Sequence, residues 1–298
     1  MKIRILIPIF LILTFGCNRS NEKKERDLEG EIKDTMAESA VPDSVINVVL
    51  QQIPSPLEMS ALIKETGARY NKSFLSKPES YSKYNSSFSR ALNLGIYGAD
   101  LGYSNLYEEN QQCILYLGAI KKLSDELRID QFFNFKLIER LADERNLDSL
   151  LLISTQSYNE VNKYFQEEQR SGLSILLLVG GWIEAMYISC QVADETPSNK
   201  PLIEKIGEQK IVIESLIKLV GYFSESDENF AKLSKQLSEL TKIYDSIIIN
   251  RTYGEPTNTE VNGMIVTKDN SKTSIKMDDN SFILIKNKVQ DIRLNIIS

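Results

Sequence analysis

From Ser55 to the C-terminus, apolar residues recur at intervals of three and four, and that spacing confines most of the chain to helices packed on one another. The clearest run is Phe230, Leu233, Leu237, Leu240, Tyr244 and Ile247, a single unbroken stripe. Ile203, Ile206, Ile213, Leu216 and Val220 form a second stripe behind Asn199-Lys200-Pro201, a helix-opening triplet. A third runs through Phe282, Ile285, Val289, Ile292 and Ile296 behind Asp279-Asn280. Gly172 to Val192 is apolar on every side, which marks a helix buried all round, with Glu184 inside it.

Other stretches give their helices through caps. Ser55-Pro56-Leu57-Glu58 is a capping box with proline in the first turn, and Gly67 is its stop. A helix is predicted from Ser80 to Ser104, where Tyr84, Phe88, Ala91, Gly95, Gly98 and Gly102 share one face. Glycines in such a stripe cost helix stability and point to a close crossing with another helix. Helices are also predicted from Leu106 to Leu127, from Asp130 to Glu144, and from a cap at Asp148 to Gln169, and Ser226-Asp227-Glu228 caps the one that follows. After the Gly254-Glu255-Pro256 breaker, Met264–Thr267 and Thr273–Met277 are predicted to pair as a hairpin around Asp269-Asn270. The predicted fold is all-α: an antiparallel bundle or an irregular array of helical hairpins, with about eight helices and a small β-hairpin near the C-terminus. Residues 41–252 form the helical domain, and 253–298 add the hairpin and a last helix packed on it.

The N-terminus is of another kind. Lys2 and Arg4 precede an uncharged apolar core from Ile5 to Phe15, too short to span a bilayer as a mature helix, so residues 1–16 read as an export signal. Leu13-Thr14-Phe15-Gly16-Cys17 resembles the lipobox of bacterial lipoproteins, in the permissive form of the Bacteroidetes type, with Thr14 where leucine is usual. The resemblance covers this leader alone. It implies cleavage before Cys17, acylation of Cys17 (palmitate included) and attachment to a membrane. Asn18 after the cysteine is compatible with onward transport to the outer membrane. Residues 17–40 are rich in Asn, Lys, Glu, Asp and Ser and poor in large apolar groups, which makes them a tether between lipid and body.

Composition narrows the chemistry. The net charge is −6, and loss of Lys2 and Arg4 with the leader leaves −8, which disfavours nucleic acid as a partner. The chain has no histidine, so Ser-His-Asp and Cys-His hydrolysis and His-ligated zinc or haem are excluded. Cys113 and Cys190 lie in apolar helical contexts with no metal or redox spacing, and read as buried thiols, a disulfide staying open. Neither a glycine-rich phosphate loop nor an EF-hand loop is present, and no cofactor or metal is expected.

Two acids are the candidates for chemistry. Glu184 lies in Gly180-Gly181-Trp182-Ile183-Glu184-Ala185-Met186, where desolvation favours a general acid; the alternative is a buried glutamate satisfied by Tyr, Arg or Lys of a neighbouring helix. Asp100 shares a face with Asn93, Tyr97 and Ser104, which reads as a polar cleft lining, a solvated face or a buried register pin. Tyr70, Phe74, Tyr81, Tyr84, Tyr97, Tyr103 and Tyr107 make the first third aromatic, which suits peptide or glycan recognition or a mixed core and surface. The sequence therefore leads to a membrane-anchored, non-catalytic binding or scaffolding module for an envelope protein or peptide. The alternative is a carboxylate-dependent enzyme acting on glycans or peptides through Glu184 and Asp100.

Overall fold

A computed structural model describes residues 63–144, 146–197, 199–261, 264–268 and 272–298. The predicted signal, tether and capping box at Ser55 lie outside these residues. The body is a helical bundle with a two-armed β-ribbon inserted before its last helix, as the apolar periodicity requires.

The helices are α1 (Ser87–Leu106), α2 (Asn110–Glu126), α3 (Phe135–Asp143), α4 (Leu147–Glu167), α5 (Ser171–Glu195), α6 (Lys200–Gly221), α7 (Glu228–Tyr244) and α8 (Asp279–Ile297). At the centre runs α5, buried almost along its length and packed against α1, α4, α6 and α8. It is long and apolar enough to cross a membrane, but 83% of that stretch is buried inside the protein, the behaviour of a core helix. On either flank, α7 packs on α6 and α8, and α3 lies between α2 and α4.

Helix starts follow their caps. Ser86 and Ser89 exchange a capping box at α1, Asn199 accepts from Leu202 N–H at α6, and Asp227 accepts from Asn229 and Phe230 at α7. Two predicted starts move. Pro78–Lys83 is a separate 3₁₀ turn, so α1 begins at Ser87 rather than Ser80, and Asn146, not Asp148, caps α4 by accepting from Ser149 N–H. Likewise the segment predicted to open at Asp130 divides into a 3₁₀ turn, Asp130–Phe132, and α3.

The predicted hairpin partners are corrected. Both segments are strands, but β3 (Met264–Lys268) pairs with β2 (Thr257–Val261), and β4 (Lys272–Lys276) pairs with β1 (Ile248–Thr252), all antiparallel. The ribbon therefore begins ahead of the Gly254 breaker, and residues 253–256 stand between its strands β1 and β2. Pro256 in that gap has no N–H for a ladder. Ile249 and Ile275 are directly paired and partly buried, and Ile275 touches Gly207 so closely that a Cβ there would lie 2.6 Å from Ile275 Cγ2. That contact fixes the base of the ribbon on α6.

The glycine stripe meets α5 at one point. A Cβ on Gly95 would stand 2.0 Å from Leu177 O, and one on Gly180 would stand 1.9 Å from Leu92 O, so the two backbones touch. Gly98 by contrast faces solvent with nothing within 4 Å, and takes no part in the crossing.

Candidate functional site

The α1–α5 crossing carries Asp100 and Glu184 into the same buried place, roughly one turn beyond Gly95 and Gly180. Both side chains have no exposed surface. A third helix completes the cluster: Arg293 of α8 donates from Nε to Glu184 Oε2 at 2.5 Å and from Nη2 to Oε1 at 2.7 Å, a two-pronged ion pair. Its guanidinium carbon lies 4.1 Å from the centre of the Tyr187 ring. Burial alone would lower the Arg293 pKa, but the charge and hydrogen bonds of Glu184 outweigh it, and its pKa is raised.

Asp100 has a different environment. Its Oδ2 accepts the Ser76 N–H at 3.1 Å, its Oδ1 receives no donor, and Glu184 is its neighbour. Burial first, and the Glu184 charge second, push its carboxyl well above the usual carboxylate range. Burial and the adjacent Glu184 together favour the protonated, neutral form of Asp100, while Glu184 keeps its ion pair with Arg293. Electrically the cluster is balanced, and it is closed to water.

Glu184 is buried with Arg293 as its cation, and Asp100 is buried with its Oδ2 accepting the Ser76 N–H. Asn93 and Ser104, predicted on the same face, are buried as well. Tyr84, Tyr97, Tyr103 and Tyr116 are core residues, while Tyr70, Tyr81 and Tyr107 pack against that core from its margin.

Cys113 and Cys190 are free and buried. Burial pushes the Cys113 thiol up to about 11 and the Cys190 thiol up to about 12, so neither is a thiolate near neutral pH. Among the described residues, no group of three or more Cys, Asp or Glu side chains could hold a metal ion.

Arg293 is the residue that sequence reasoning passed over. It falls four residues after Val289, on the side of α8 predicted to be apolar, and a charge at such a position signals a buried partner. No family model, curated protein or solved structure matches this chain.

Proposed function

We propose that this chain is a bacterial envelope lipoprotein, anchored by lipid on Cys17, whose helical body serves as a non-catalytic binding or scaffolding module for an envelope protein or peptide. The anchor rests on the leader Leu13-Thr14-Phe15-Gly16-Cys17 behind its apolar core. One observation supports the non-catalytic part of the reading: the two acids available for catalysis are sealed, one against Arg293 and one against a backbone amide. A glycan-cleaving carboxylate pair needs room for sugar and water between its members, and both of these side chains are fully buried.

The test of the anchor is metabolic labelling with an alkyne analogue of palmitate in the native host, comparing wild type with Cys17→Ala. Label and membrane fractionation that both vanish in the variant support the proposal. Label retained without Cys17, or a wild-type protein released free of lipid, refutes it.

A further inference from the structure

Before α1, the chain crosses the bundle as an extended strap, Ala68–Lys77, broken by one 3₁₀ turn at Lys72–Phe74. Few of its main-chain groups are bonded within the strap. Tyr107 donates to Ala68 O at 2.8 Å, and Asn71 N–H donates to the Tyr103 hydroxyl at 3.2 Å. Arg293 Nη2 donates to Phe74 O at 3.0 Å. Asp100 takes the Ser76 N–H, Tyr116 donates to Ser76 O at 2.7 Å, and Tyr97 donates to Lys77 O at 3.0 Å. Each of these groups is met by a different side chain from the body. Two strap side chains add anchors: Phe74 is buried, and the Tyr70 ring stacks on Tyr103 with centroids 5.4 Å apart.

Side chains that read the backbone of an extended segment, with rigid tyrosines supplying most of the donors, are the chemistry of a peptide-binding surface. From this we infer that the seat formed by Tyr97, Asp100, Tyr103, Tyr107, Tyr116 and Arg293 is a peptide-binding site now filled by the chain's own strap. Its intermolecular ligand is an extended peptide with an aromatic anchor at the Phe74 position. The strap acts as a resident competitor, held at high effective concentration by its covalent link to α1. The inference deepens the binding-module reading and makes no use of the lipid, so loss of Cys17 labelling leaves it standing, and failure of peptide binding leaves the anchor standing.

The experiment uses the full chain in detergent micelles and a fluorescent synthetic peptide of residues 67–78 as the probe. Phe74→Ala in the protein loosens the resident strap and leaves the seat intact. Binding of the wild-type peptide should tighten by at least about ten-fold over that seen with the wild-type protein. A peptide carrying the same substitution should lose binding by a similar factor. No saturable binding to a variant with an unchanged helical circular dichroism spectrum overturns the inference. Native-state hydrogen exchange on the wild-type chain decides the matter should that variant unfold. Asn71 and Ser76 amides must exchange together through an opening that leaves the Ile183 and Leu216 amides protected. Exchange of all four only by global unfolding overturns it equally.

Discussion

Asp100→Asn isolates the proton in the buried cluster. An amide can reproduce both bonds of the protonated acid, its oxygen accepting the Ser76 N–H and its nitrogen donating to Glu184, without any charge to suppress. The wild-type carboxyl is held well above its ordinary value, first by burial and then by Glu184. Between the unfolded value of about 3.9 and the raised folded value, the native chain therefore carries one proton more than the unfolded chain. Stability from this group is complete below the unfolded value and is lost as pH rises toward the folded one, at about 1.4 kcal/mol per unit. The variant has no such slope. Urea unfolding followed by circular dichroism, near pH 4 and near pH 8, reads the difference between the two proteins. The expected result is near equality in acid and a variant more stable than wild type by at least about 1 kcal/mol at the higher pH. A variant less stable than wild type by the same margin at both pH values would refute the protonated Asp100 and the charge balance built on it.

Other substitutions test other parts of the account. Glu184→Gln strands the Arg293 cation in the core and should cost about 3–5 kcal/mol in the same urea assay, since removal of one partner leaves a buried charge uncompensated. Gly180→Ala places a Cβ 1.9 Å from Leu92 O and should lower stability by about 3 kcal/mol or prevent folding, whereas Gly98→Ala meets nothing within 4 Å and should raise it by about 0.5–1 kcal/mol. Gln169 follows α4 with φ +57°, so Gln169→Gly should raise the melting midpoint through a gain of up to about 1 kcal/mol. Intact mass after iodoacetamide treatment of the native protein near neutral pH should show Cys113 and Cys190 unmodified, with both reacting once the chain is denatured.

Much of this fold is legible in the sequence because its long helices obey one period. The stripes of α6, α7 and α8 face the core where the spacing places them, and Asn199, Asp227 and the residue pair at 279–280 mark true helix starts. Boundaries were harder where the chain turns without glycine. Glu108, Arg128 and Gln169 take the left-handed conformation after α1, α2 and α4, and none is a residue type that advertises such a stop. The ribbon was misassigned for a related reason. Asn262-Gly263, the strongest short hairpin signal in that region, separates β2 from β3, but Asp269-Asn270 lies between the two segments with the plainest alternation.

For the cluster, the buried alternatives were legible from the lack of charge around each acid. Asp100 is the only charged residue between Ala91 and Leu106, and a helix so poor in charge is buried over most of its surface, which favours the buried reading of Asp100 over a solvated face. What the sequence could not supply was pairing across the chain. Arg293 meets Glu184 and Phe74 only because α8 returns to the centre of the bundle, and a single sequence carries no direct record of that return.

The most direct test of an anchored binding module is photo-crosslinking in native membranes. A photoreactive residue at exposed Lys72, in the 3₁₀ turn of the strap, would be compared with the same substitution in the Cys17→Ala chain. The account predicts a discrete adduct with one envelope protein, mapped by mass spectrometry to an extended segment bearing an aromatic residue, and lost when the anchor is removed. A lipidated protein that yields no discrete adduct, or the same adduct formed without the anchor, contradicts it.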